Sequence, residues 1–309
     1  MKSAFLSSLV VTLLFGHAAL ADVTMRSKLD YKLASFLPPA AAEAMNKQLG
    51  DTVANGVVVR IKGRRTMSNS GALQVITDRE KGTVTLLDPK GKRYGTCPLA
   101  EYGDKLKSLM PNMPPEARQM FENMKIDVKS DKTGKSDAIR NIKAEETLVT
   151  ITLDVPGPMA AMMAMRVEMH IWTAAAQELE RLPVLREVAA YTAQQLASSD
   201  TASGMTKMFA QIPGFADKLK PLLEQMMKGT SQAVLRTQMK MIMPGSAKMM
   251  GAANPEEPFT EMTTDLVELS TDTIPDSVFG VPSDYKDAPV EELLQMMNPL
   301  RQQAQPQPK

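Results

Sequence analysis

The chain is poor in the side chains that most catalytic mechanisms use. Among 309 residues there is one cysteine, one tryptophan and two histidines, and aromatic residues make up only 5%. A lone thiol, Cys97, rules out a disulfide within the chain, so stability must come from a packed core. Its position just before Pro98 reads as a buried small apolar residue. Neither sign of charge is in excess. The 36 Lys and Arg stand against 35 Asp and Glu, which excludes a polybasic nucleic-acid binder and an acidic tail protein. Five signatures are missing: G-x-S-x-G, the Walker loop, G-x-G-x-x-G, C-x-x-C and H-E-x-x-H. The sequence therefore offers no positive sign of an enzyme, and no cofactor is expected. Adjacent Glu145 and Glu146 would point to opposite faces of a strand and read as surface groups.

What is present begins with an export signal. Lys2 supplies a positive start, Ala4 to Phe15 an apolar stretch, and Ala19-Leu20-Ala21 an A-x-A-like cleavage site, so residues 1–21 read as a signal peptide. Removing them takes one Lys and no acid, leaving basic and acidic residues equal in number. Asp22 stands after the proposed cut, where a lipoprotein would carry Cys, so a soluble exported protein is expected, periplasmic first and secreted as the alternative. The nearly apolar run from Val155 to Met165 is short and broken by Pro156, Gly157 and Pro158, and no transmembrane segment is expected after cleavage. His17 leaves with the signal. His170 then carries any histidine chemistry and reads as a polar-face histidine beside a carboxylate.

The rest of the chain alternates as strands do. Val23, Met25, Leu29, Tyr31 and Leu33 form one face of a strand; a helix opens at Pro38-Pro39 and runs to about Leu49, where Gly50 is expected to stop it. Strands follow over 57–62, 72–78, 83–88 and 92–96, with Asp88-Pro89-Lys90-Gly91 as a turn. Such short links imply an antiparallel meander. A broken helical stretch covers 99–124. Strands return at 125–130 and 138–155, joined through Asp131-Lys132-Thr133-Gly134, and again at 165–174. Helical spacing covers 176–228, followed by strands at 231–243 and 259–272 and a tail over 298–309 that reads as disordered. These elements predict one α+β domain over 22–297, in which a curved antiparallel sheet, half-barrel-like, wraps the helical segment 176–228.

Methionine is the excess that needs a reason, with 25 residues. Met239, Met241 and Met243 share a strand face with Leu235, and Met165 and Met169 share another. If these faces look inward, thioethers line the concave side of the sheet and adapt to varied apolar partners. The candidate ligand-binding set is thus Met165, Met169, Leu235, Met239, Met241 and Met243, and the candidate partners are a lipid, an acyl chain or a lipidated protein. Two other readings stay open. The methionines can simply pack the helices of an interaction protein without ligand, or they can ligate copper, since Met110-x-x-Met113, Met159-x-x-Met162 and Met239-x-Met241-x-Met243 have ligand-like spacing.

Three stretches carry a family resemblance: Val75-Ile76-Thr77-Asp78 with Leu86-Leu87-Asp88-Pro89-Lys90-Gly91-Lys92-Arg93-Tyr94; Met169-His170-Ile171-Trp172; and Pro275-Asp276-Ser277-Val278-Phe279-Gly280-Val281-Pro282-Ser283-Asp284-Tyr285-Lys286. In these the chain resembles an exported bacterial class with a domain of unknown function, itself similar to the half-barrel of the outer-membrane lipoprotein carriers. The resemblance implies an acyl-binding concave sheet beneath helices and an envelope location, and matches no individual carrier residue to a position here.

Overall fold

The structure, a computed structural model, describes residues 22–70, 72–108, 123–154, 162, 164–197 and 232–296. Expectations that concern the signal peptide, the 198–231 part of the helical segment and the tail lie outside these residues. The fold is α+β and is dominated by one large, curved, unclosed sheet of twelve strands. In chain order the strands are β1 (Val23–Leu33), β2 (Val57–Lys62), β3 (Arg65–Ser70), β4 (Leu73–Asp78), β5 (Thr83–Asp88) and β6 (Arg93–Pro98). Then come β7 (Lys125–Ile139), β8 (Ile142–Asp154), β9 (Met165–Ala174), β10 (Val234–Ile242), β11 (Thr260–Ser270) and the short β12 (Lys286–Asp287). Across the sheet they run β12-β6-β5-β4-β3-β2-β1-β11-β10-β9-β8-β7. Every pairing is antiparallel except β12 with β6. The first strand meets the last long one, from Thr24 opposite Ser270 to Leu33 opposite Thr260, and this seam joins the two meanders into one surface.

Six helices are described. They are α1 (Pro39–Asn55), α2 (Leu99–Ser108), α3 (Ala176–Arg181), α4 (Val184–Ala197), α5 (Pro244–Met249) and α6 (Val290–Gln295). Gly50 does not stop α1, since a glycine inside a helix costs only about 1 kcal/mol. The helix continues to Asn55 and ends at Gly56, whose φ of 66° needs a glycine and whose missing side chain makes room for the Ser27 carbonyl, 2.5 Å from where a Cβ would lie. Of the expected stretch 99–124, α2 accounts for 99–108, and residues 109–122 are outside the described set.

Two further expectations are corrected. Asp131-Lys132-Thr133-Gly134 is not a connection between strands: β7 runs straight through it for 15 residues. The hairpin turns instead at Arg140-Asn141, both with positive φ (53° and 60°), as a two-residue turn of the primed type requires. Gly134, at φ 74°, serves a bulge where the register slips between Lys132 and Ser136. Strand β3 escapes sequence reasoning altogether, because Arg65-Thr66-Met67-Ser68-Asn69-Ser70 has almost no apolar face.

The two halves of the sheet are covered differently. In the β2–β6 half, Val84, Leu86 and Cys97 pack against Val290, Leu293 and Leu294 of α6, and Tyr102 of α2 lies beside them. The opposite face there holds Met67, Ile76 and Leu87 with Val278, Phe279 and Tyr285 of the returning C-terminal stretch. Val84 and Leu86 alternate with Leu87 along β5, which is why the two clusters lie on opposite faces. Asp276 pins that stretch, accepting from Arg65 at 2.8 Å and standing 3.1 Å from Lys62 Nζ. Cys97 is 3% exposed and burial pushes its thiol pKa up, so it behaves as the small apolar residue expected. A third cluster joins Leu185 and Val188 of α4 to Val23, Leu235 and Leu266 of the sheet.

Candidate functional site

The register of β8 to β11 decides which side chains meet. Residues directly opposite in an antiparallel pair share a face. Met169 is opposite Val149 on one side and Met239 on the other; Met239 is opposite Met262, and Met262 opposite Tyr31. A row of Val149, Met169, Met239, Met262 and Tyr31 therefore crosses five strands on one face. A second row places Ile151, Val167 and Met241 in line with Thr260 and Leu33, and Met165 stands opposite Leu153 beyond it. Most of these side chains are half-buried, and none of Met165, Met169, Met239 or Met241 belongs to the three buried clusters that described residues form.

The candidate set thus divides. Met165, Met169, Met239 and Met241 come together on one face of β9 and β10, as their spacing implied. Met243 is not in the strand, which ends at Ile242; it is the residue before α5, with φ −130° and ψ 77°, because Pro244 opens a helix directly after it. Leu235 sits where β10 bulges against β9, 2% exposed and packed with the α4 cluster, so it belongs to the core. Sequence reading passed over Met262 and Tyr31. Their signal was present, since both alternate with polar neighbours in expected strands, but only the register puts them in line with Met239. Of the copper-spaced pairs, Met110, Met113 and Met159 lie outside the described residues.

The other face of the same strands is polar and closed by ion pairs. Arg236 binds Asp265, reaches Asp137 at 2.8 Å and lies 6.0 Å from the ring centre of Trp172. Arg166 donates to Glu168 at 2.9 Å and to Glu256 at 2.7 Å. Glu146 corrects the expectation of a surface carboxylate: it is 4% exposed, while Glu145 is exposed. The β7 bulge is the cause, since it folds Thr133 and Lys135 over Glu146. Thr133 Oγ1 donates to Glu146 at 2.6 Å, Lys135 Nζ lies at 3.3 Å, and His170 Nδ1 lies 2.8 Å from its other oxygen. His170 is thus a polar-face histidine beside a carboxylate, as expected, though the carboxylate comes from the next strand.

Burial works to raise the Glu146 pKa, but the donors from Thr133, His170 and Lys135 outweigh it and hold the carboxyl below its usual value. Its stabilising contribution is therefore complete above the pKa of an unfolded glutamate, about 4.3, and is lost as pH falls through the lower folded value. Glu146→Gln should cost about 1–3 kcal/mol at pH 7, read from urea midpoints, and the gap to the parent protein should narrow below about pH 4. A gap that stayed constant down to pH 3 would remove the charge from this explanation.

A groove of about 650 Å³ lies at the end of the sheet, lined by Leu182, Pro183, Val184 and Leu269 with Arg140 and Arg181 at its rim. No group of three or more His, Cys, Asp or Glu positioned to hold a metal occurs among the described residues, and no described helix is long and apolar enough to cross a membrane. Compared with protein-family models and with curated proteins, the chain finds no match. The reading of this site therefore rests on its own geometry.

Proposed function

We propose that the chain is an exported, non-catalytic protein that holds a hydrophobic ligand, a lipid, an acyl chain or the acyl group of a lipidated partner, on the methionine face of its curved sheet. The single observation that carries this is the cross-strand row Val149, Met169, Met239, Met262 and Tyr31, flanked by Val167 and Met241. Thioethers are flexible and polarisable, so such a face accepts chains of varied length and unsaturation better than a rigid branched one. The opposite face, held by ion pairs, keeps the strands in register without competing for an apolar guest. Helices wrapping the face, an envelope location and the likeness to lipoprotein carriers are part of this proposal.

The same row favours one second reading. Three adjacent thioethers, Met169, Met239 and Met262, offer a soft cation such as Cu(I) a ligand set. Replacing all three by Leu separates the two, because Leu and Met are close in volume. The carrier reading expects the triple variant to bind a fluorescent fatty-acid probe within about threefold of the parent and to bind no Cu(I) more weakly than the parent does. High-affinity Cu(I) binding by the parent that the triple variant loses would transfer the face to the metal.

A further inference from the structure

The sheet does not close, and one of its two edges is long. Strand β7 pairs only with β8 among the described residues, so its outer backbone groups form an open edge. Over Lys125 to Lys132 its pairing with β8 is regular, ahead of the bulge. Along that stretch Lys125, Asp127, Lys129 and Asp131 share one face and all are exposed, while Ile126 and Val128 lie half-buried on the other. Edge strands commonly use charge to refuse partners, and a row of one sign would refuse every second copy. Alternating signs do something more selective.

We propose that the outer edge of β7 pairs antiparallel with the same edge of a second copy, about a two-fold axis at Val128, joining two sheets into one. In this register Val128 is opposite Val128, Lys125 opposite Asp131, and Asp127 opposite Lys129, so every charge of the row meets its opposite, twice by symmetry. Moving the axis to Asp127 sets Asp127 against itself and Lys125 against Lys129. Moving it to Lys129 sets Lys129 against itself and Asp127 against Asp131. Axes at Ile126 or Ser130 keep one complementary pair on each side, half as many. The sequence therefore selects one register and penalises its neighbours. The exposed 3.5 Å contact between Lys129 and Asp127 within one chain is weak enough to exchange for the cross-strand pairs. Across β7, strand β8 presents Leu148, Thr150 and Thr152 to this row, with Asp154 opposite Lys125 as the one charge. Ile126 and Val128 lie on the methionine face, opposite Leu153 and Ile151, so pairing would make that face continuous between two copies.

Charge exchange tests this. Light scattering coupled to size exclusion should find the parent protein dimeric at tens of micromolar. Lys125→Asp/Lys129→Asp gives a row of one sign, as does Asp127→Lys/Asp131→Lys, and each variant should dimerise at least about tenfold more weakly. An equimolar mixture of the two should restore a dimer of mixed mass in native mass spectrometry. Since all four side chains are exposed, unchanged circular dichroism is expected for both variants. Val128→Cys should cross-link to itself under mild oxidation, whereas Lys132→Cys should not, because two copies of residue 132 lie far apart in this register. A monomeric parent, two variants that dimerise like the parent, or a mixture that stays monomeric would overturn the proposal.

Discussion

Replacing Met169 and Met239 together by glutamate should abolish binding of a fluorescent fatty-acid probe, by at least about 100-fold, while leaving the fold in place. The two side chains are opposite one another at the centre of the methionine row and half-buried. Carboxylates at such positions can keep water in the free protein, so folding loses little. An apolar chain laid over them would have to strip that water, at about 2 kcal/mol or more for each ionised carboxylate covered. Two such costs correspond to a factor of 100 or more. Circular dichroism and a thermal melt establish that the variant folds, and probe titration reads the loss. Binding within threefold of the parent would place the ligand elsewhere, the groove beside Leu182 and Leu269 being the next place to look.

Leu235→Ala should have the largest effect on stability. Leu235 is 2% exposed where β10 bulges, and it packs in one cluster with Leu185, Val188 and Leu266. Deleting its branched end removes burial and leaves a cavity between α4 and the sheet, costing about 2–5 kcal/mol. In a chain of this size that lowers the melting temperature by roughly 5–15 °C. The effect on probe binding should be small by comparison, since Leu235 belongs to the core and not to the methionine row. A loss below about 1 kcal/mol would mean that the bulge relaxes to fill the space.

These two positions also show how far the sequence could be read. Strict alternation in Val23 to Leu33 and Met165 to Trp172 announced β1 and β9, because a half-buried strand must separate its faces. The same rule put Leu235 on the face of the methionines, and the regular pairing of β10 with β11 keeps it there, but alternation could not tell that α4 would cover this end of the face. The slip against β9 between Val234 and Arg236 was equally out of reach of a period-two reading. Glu146 was misplaced for a related reason. Alternation told which way it points but not that a bulge on the neighbouring strand, 13 residues earlier in the chain, would bring Thr133 and Lys135 over it. Strand β3 has no apolar alternation to detect, and owes its place to neighbours β2 and β4. Met262 and Tyr31 illustrate the remaining gap. Each was legible as a strand residue, but their meeting with Met239 depends on β1, β10 and β11 lying side by side, a long-range pairing that periodicity does not encode.

The C-terminal stretch had the most distinctive sequence and turns out to have a structural job. Pro275 to Lys286 returns to the sheet, sets Phe279 against Arg65 at 5.0 Å and ends in β12 beside β6. Gly95 on β6 allows that approach, since a Cβ there would stand 2.7 Å from the Ala288 carbonyl oxygen. The half of the sheet nearest this stretch is covered on both faces, whereas in the other half α4 buries Leu235 and Leu266 but Met169, Met239, Met241 and Met262 are left half-buried outside these clusters. Those half-buried methionines are what the proposal of an apolar guest rests on.

The central claim is that this face carries an apolar guest, and native mass spectrometry of the protein isolated from its own envelope without detergent tests it most directly. The account predicts an adduct with the mass of a lipid or fatty acid, extractable into organic solvent and absent from the Met169→Glu/Met239→Glu variant prepared in the same way. A bare chain mass in both proteins, with no adduct gained after exposure to lipid vesicles, would contradict it.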